Sequence, residues 1–225
     1  KIKILIAAHC FSDSPHSYGY NIFDDFYDWI ENLGIISEKT DYDWYVKTHP
    51  DYIESSKLTL IKLIKKYPKI KMLPSNASHN QLIKEGIDYV LTCYGTIAHE
   101  YAARNITVIN ASINNPHIAY NFNLNPRSKS QYIKILSNLP NIKFKINTKK
   151  VYEFYYMRYL QNANNWLIED YKSLQNLIGY KEFSKPIIYK YLLPSFKKER
   201  IKKINKNIKN FVESREYFLQ PKHIN

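Results

Sequence analysis

Over the first 140 residues, short apolar runs alternate with stretches in which apolar positions recur every three or four residues. Ile2-Lys3-Ile4-Leu5-Ile6-Ala7-Ala8 opens the series and gives way to a polar segment, His9 to Gly19, rich in Ser, Asp and Pro. So apolar a run suits a strand covered on both faces. Phe23, Phe26, Tyr27, Ile30 and Leu33 then follow at helical spacing, and Gly34 is expected to stop that helix. Asp43 to Val46 predicts a second strand, closed by Thr48-His49-Pro50. Residues 51–67 predict a helix with Leu58, Ile61, Leu63 and Ile64 on its inner side. The alternation continues with strands over 70–73, 88–92 and 107–110, and helices over 79–85, 96–104 and near 129–138. Residues 112–127 read as a polar loop. This order predicts an α/β fold: a Rossmann-like parallel sheet with helices on both faces, every strand ending on one edge.

The pattern changes near residue 150, so the chain divides into residues 1–150 and a helical extension, 151–225. Val151 to Leu177 is dense in aromatics and reads as helix. Residues 196–212 set Phe196, Ile201, Ile204, Ile208 and Phe211 along one side, with Lys197, Lys198, Arg200, Lys202, Lys203, Lys206 and Lys209 elsewhere. That is a basic amphipathic helix, suited to an anionic lipid surface or to a charged, solvated face.

Composition narrows the class. With 225 residues, 44% apolar and 24% charged, the chain carries a sizeable core, and disordered or collagen-like classes are excluded. No apolar run approaches the roughly 18 residues of a membrane span. Two cysteines, Cys10 and Cys93, are too few for a disulfide framework and fit a reducing, cytoplasmic setting. The chain shows no signal peptide and starts without Met, so an upstream part is expected to be missing.

The net charge of +13 is uneven: residues 1–50 hold four basic and eight acidic side chains, and residues 101–150 hold eight basic and no acidic ones. Nucleic acid, an anionic membrane surface and phosphorylated substrates are admissible partners. The Lys, Asn, Ile and Tyr bias of an AT-rich genome is the competing cause of the same charge.

In an open parallel sheet, ligands bind beyond the carboxyl ends of the strands. Those ends carry His9 with the Ser12-Asp13-Ser14-Pro15-His16 loop, Lys47-Thr48-His49-Pro50, Pro74-Ser75-Asn76-Ala77-Ser78, Thr92-Cys93-Tyr94-Gly95-Thr96, and Asn110-Ala111-Ser112. Nearly all are hydroxylic, amide or imidazole groups, as a polyanionic ligand requires. Pro50 suits a first helical position and sets His49 beside a helix's positive end, where it either donates to a phosphate or caps and packs. Gly95 permits close backbone approach, Thr96 adds a hydroxyl at the next helix start, and Glu100 stands one turn on, placed for ribose hydroxyls. A tight turn and a solvated Glu100 are the plainer alternative. His79, His99, His117 and His223 read as surface or core residues, and no histidine pair has metal-site spacing. Gly-x-Ser-x-Gly, Gly-x-Gly-x-x-Gly and the P-loop are absent, which disfavours hydrolases, dehydrogenases and NTPases.

Lys47-Thr48-His49-Pro50, Leu73-Pro74-Ser75-Asn76-Ala77-Ser78 and Asp88-Tyr89-Val90-Leu91-Thr92-Cys93-Tyr94-Gly95-Thr96 with Glu100 together resemble the donor-binding half of GT-B glycosyltransferases of capsular and surface polysaccharide synthesis. The similar families are bacterial sialyltransferases, Kdo transferases and teichoic-acid glycerophosphotransferases. There a Lys/Pro-His-Pro motif ends one strand, its His binds the nucleotide phosphate, and a later Ser/Thr motif binds the same phosphate. The resemblance covers roughly residues 1–140. It implies that His49 assists the leaving phosphate and that Lys47, His49, Pro50, Ser75, Asn76, Ser78, Tyr94, Gly95, Thr96 and Glu100 hold the donor nucleotide. His9, Ser12, Asp13 and His16 form a candidate substrate loop.

Two departures stand out. Gly95-Thr96 carries a single hydroxyl where cytidine-dependent families show a pair, and Gly-Thr with Glu100 is closer to uridine-dependent transferases. The resemblance places the acceptor half, with its catalytic base, upstream of Lys1 or on another chain. The resemblance therefore implies a metal-independent transferase, or its donor-binding half, without a cofactor. It would move a sugar from a CMP- or UDP-linked donor to a polysaccharide or lipid-linked acceptor, near the inner membrane and without nucleic acid as a partner. A CDP-alditol phosphotransferase and a non-catalytic nucleotide-binding module are the alternatives. A basic nucleic-acid-binding protein fits less well, because the aromatics sit at core-like helical spacing.

Overall fold

A computed structural model describes residues 1–12, 21–49, 54–160, 176, 189–190 and 193–216. Five strands, β1 (Lys3–Ala7), β2 (Asp43–Lys47), β3 (Ile70–Met72), β4 (Tyr89–Thr92) and β5 (Thr107–Asn110), form a parallel sheet in the order β3-β2-β1-β4-β5. The central strand pairs Ile4 with both Trp44 and Tyr89, and Ile6 with Val46 and Leu91. Side chains alternate across the sheet, so each apolar run serves two cores at once. Ile4, Ile6, Trp44, Val46, Leu91 and Ile109 enter one core with α1 (Phe26–Lys39), α2 (Glu54–Lys66) and α5 (Lys129–Leu136). Leu5, Val90 and Val108 enter the other with α3 (His79–Lys84) and α4 (Ile97–Ala102). The α/β sheet with helices on both faces is therefore the architecture of the chain.

Connectivity fixes where a ligand can enter. β1, β2 and β3 succeed one another outward through α1 and α2 on one face. The chain then returns past β1 to β4 through α3 and moves on to β5 through α4, both on the opposite face. The loops leaving β1 and β4 thus diverge to opposite faces, and the crevice between them is the topological switch point. On the first face Trp29 Nε1 donates to the Tyr132 hydroxyl at 3.1 Å, both residues buried. Asp28 meets Lys129 at 3.1 Å, joining α1 to α5. Asp25 and Ser128 cap the two helices by accepting from Asp28 and Gln131 backbone N–H groups.

Three expectations within this unit are corrected. Gly34 does not end α1; the helix continues through it to Lys39. A Cβ built at Gly34 would collide with the Tyr67 ring, so the glycine marks close approach of the residues after α2. Gly34→Ala is expected to cost about 1–3 kcal/mol of unfolding free energy by overpacking. Most of that loss should disappear in a Tyr67→Ala background, a coupling that denaturation of the double mutant measures. Leu58 faces solvent with 51% of its surface exposed, and Ser56 and Leu60 join the expected Leu63 on the inner side of α2. The 112–127 segment is largely packed: Leu124 bridges β5 at Ile109, Ser112 bridges Asn21, and Ile118–Tyr120 forms a 3-10 turn.

The chain divides into two units, Lys1–Phe154 and Tyr155–Asn225. The expected division at 150 falls inside α6 (Thr148–Tyr155). Past α6 the second unit opens with a π-helical turn, Tyr156–Leu160. The 161–175 part of the aromatic stretch lies outside the described residues. The second unit also holds α7 (Lys198–Ser214), ended by Arg215 in the left-handed conformation at φ 54°. No helix among the described residues is long and apolar enough to cross a membrane.

Candidate functional site

The carboxyl end of β1 extends by one hydrogen bond, Ala8 N–H to the Lys47 carbonyl, which delivers His9 into the switch-point crevice. Its ring stacks on Phe26 at 4.6 Å between centroids. Nε2 of His9 faces the backbone N–H groups of Cys93 and Tyr94 at 3.3 and 3.2 Å, and the Thr92 hydroxyl at 3.0 Å. A nitrogen that accepts from amide N–H groups carries no proton of its own, so the proton resides on Nδ1 and the Thr92 hydroxyl donates. Burial, with a smaller contribution from the neighbouring His49, lowers the His9 pKa from 6.5 to about 4. His9 is therefore a neutral strut that shapes the turn after β4, and the face of its ring at Nε2 is committed to that turn.

The turn itself is built for approach. Gly95 has φ 145°, a backbone conformation that side chains disfavour, and among the described residues beyond its chain neighbours a Cβ there would meet only His9 Cε1, at 3.9 Å. Thr96 begins α4 without using its hydroxyl as a cap and is exposed. Glu100 N–H donates to the Thr96 carbonyl at 3.1 Å, which sets the exposed Glu100 one turn along the helix. Tyr94 is half-buried beside them.

The neighbouring strand ends contribute unequally. His49 is exposed at the end of β2 and close enough to His9 to lower its basicity. Lys47, expected to contact the donor, is buried and donates from Nζ to the Ser75 carbonyl at 3.0 Å. It thereby pins the loop after β3, a positioning role that follows from a charged side chain finding a carbonyl partner under the rim. Ser75, Asn76 and Ser78 on that loop are exposed. Ser12 is exposed, its Oγ 3.3 Å from Cys10 Sγ, while Ser56 of α2 holds Cys10 Sγ at 3.1 Å and accepts from Phe11 N–H at 3.2 Å. Asp13, His16 and Pro50 lie outside the described residues. Because the sheet is parallel, the rim carries His9, His49, the 75–78 loop and the 94–96 turn on one edge.

Two further groups belong to this edge. His79, at the start of α3, has Nδ1 2.8 Å from the hydroxyl of the buried Tyr101. Burial foremost, and Lys47 next, lower its pKa, while Glu100 acts in the opposite direction. The second group is an amide shelf behind the Gly95 turn. Asn115 Nδ2 donates to the carbonyls of Cys93 and Ser112, and Asn123 Nδ2 donates to that of Ala98. Asn110 and Asn123 both bring Nδ2 to His117 Nε2, at 3.0 and 3.2 Å, and the His117 ring stacks on Phe122. Only the helical start at His79 was available from sequence for the first group; for the second, the frequency of Asn over 110–125 was the signal.

Among the described residues no three His, Cys, Asp or Glu side chains converge as a metal centre would need. Imidazoles, hydroxyls and backbone amides are what the rim offers, a set that binds anions and polyols through hydrogen bonds. Comparison with protein-family models, with curated proteins and with solved structures finds no match. Fold and rim together define a doubly wound α/β unit with a polar crevice at its switch point.

Proposed function

We propose that this chain is the donor-binding part of a metal-independent glycosyltransferase of GT-B type, which takes a CMP- or UDP-linked sugar and serves a bacterial surface polysaccharide. The observation that carries this reading is the open Gly95 turn at the switch point, braced by His9 and flanked on the same edge by His49 and Thr96. In the reaction the bond from the sugar's anomeric carbon to the phosphate oxygen breaks, and its electron pair stays on the phosphate. An acceptor hydroxyl forms the new bond and gives up its proton to a base supplied outside these residues. His49, the Thr96 hydroxyl and backbone amides stabilise the charge that develops on the departing nucleotide. Glu100 accepts from the ribose hydroxyls.

Titration calorimetry with CMP, CDP, UMP and UDP tests the reading directly. Binding of one nucleotide series is the expected result. His49→Ala should weaken that binding by about 1–3 kcal/mol, the worth of a hydrogen bond to a charged phosphate. Equal affinity in the variant would place the phosphate elsewhere, and no binding of any of the four would refute the nucleotide site.

A further inference from the structure

The basic helix α7 in the second unit presents an apolar row that the donor-binding reading leaves unused. At 3.6 residues per turn its apolar positions, Ile201, Ile204, Ile208, Phe211 and Val212, share an arc of about 100°. Ile204 and Phe211, on one side of that arc, are half-buried. On its other side Ile201, Ile208 and Val212 remain 38%, 42% and 66% exposed. This exposed row runs along the helix for about 16 Å.

The polar residues bordering it are not neutral. The helical periodicity puts Lys198, Lys202 and Lys209 beside the Ile201–Val212 row, and all three are exposed. Lys209 shares its charge with Glu213 at 3.7 Å. Lys198, Lys202, Lys203 and Lys206 carry no ion pair among the described residues. A row of aliphatic side chains with unneutralised ammonium groups along its margin matches the boundary of an anionic bilayer, where chains meet acyl carbon and lysines reach headgroup phosphates. A nucleic acid would use the lysines but leave the aliphatic row in water. A protein groove would use the row but would require acidic walls to meet the lysines.

We propose that α7 lies along an anionic membrane surface, with Ile201, Ile208 and Val212 at the acyl boundary and Lys198 and Lys202 on lipid phosphates. The lysines sit at the headgroup level, and Asn207, 3% exposed, marks the side of the helix that protein already covers. This anchoring is independent of the nucleotide reading and stands or falls on its own measurement.

The test is co-sedimentation of the full chain with vesicles of phosphatidylglycerol and phosphatidylcholine in equal amounts, beside vesicles of phosphatidylcholine alone. The full chain should bind the anionic vesicles and bind the neutral ones at least about tenfold more weakly. Ile208→Asp should lower anionic-vesicle binding about tenfold or more. Lys198→Gln and Lys202→Gln should each lower it roughly fivefold at low salt and flatten its salt dependence. The lysine variants keep the test decisive where the aspartate variant fails to fold, as circular dichroism reports. Equal binding to neutral and anionic vesicles overturns the proposal, as does binding that survives both kinds of substitution. Binding to single-stranded oligonucleotide that depends on the lysines but not on Ile208, without vesicle binding, would instead make α7 a polyanion site.

Discussion

Lowering the pH from 7 to 4 is expected to remove about 3 kcal/mol of folding stability through His9 alone. In the folded chain this imidazole has a pKa of about 4, against 6.5 as its ordinary value. Between those two values the unfolded chain binds a proton that the folded chain refuses, so stability falls as the pH falls. The contribution is complete above pH 6.5 and gone below pH 4. The cause is burial of the ring, to which the neighbouring His49 adds; a proton on Nε2 would also point at the amide N–H groups of Cys93 and Tyr94. His9→Gln keeps an acceptor at this position but cannot titrate, so its stability should lose that part of the pH dependence. Urea titrations at pH 4.5, 5.5 and 7, followed by tryptophan fluorescence, measure the difference; Trp29 and Trp44 report from the main core. Parallel pH profiles for the parent chain and His9→Gln would show that the strut carries none of the acid sensitivity.

The sheet was legible because its strands are covered on both faces. Leu5 and Val90 turn to one core and Ile4, Ile6 and Leu91 to the other, so the runs read as continuous apolar segments. Once the order of elements was read, right-handed crossovers placed the strand ends on one edge. What failed to show in the sequence depends on contacts between distant residues. Gly34 has the composition of a helix stop, yet its reason is Tyr67, thirty-three positions along the chain. Leu58 fits an inward stripe as well as Leu60 does, and only the packing of α2 on the sheet separates them.

The rim was legible as a set of residue types and less so as a set of roles. Lys47 and His9 both read as ligand groups, and both turn inward, Lys47 to the Ser75 carbonyl and His9 to the amides of Cys93 and Tyr94. His79 read as a surface or core residue, since nothing local announces the Tyr101 hydroxyl that orients it. The amide shelf of Asn110, Asn115 and Asn123 read as loop polarity. Its burial follows from the packing of Tyr120 and Phe122 against Phe154, partners as much as thirty-four residues apart.

Gly95→Ala is the substitution expected to strike stability and ligand binding together. At φ 145° a residue with a Cβ is strained, and the cost to the fold should be about 1–3 kcal/mol. Among the described residues, its own chain neighbours aside, His9 Cε1 alone comes within 4 Å of that Cβ, so steric clash with them adds little to the strain. The methyl instead occupies the open space above the turn, where the proposed nucleotide phosphate would meet the backbone. Affinity for the nucleotide that binds the parent chain should fall about tenfold or more, beyond what the stability loss explains, because the folded fraction stays near unity at 25 °C for a domain of ordinary stability. Denaturation and calorimetry on the same preparation separate the two effects. A variant that loses stability yet binds as tightly as the parent would move the phosphate away from the Gly95 turn. A variant that keeps its stability would show that the turn relaxes into a conformation open to any residue. The expected outcome, both losses at once, ties the conformation that only glycine readily adopts to the space that the ligand needs.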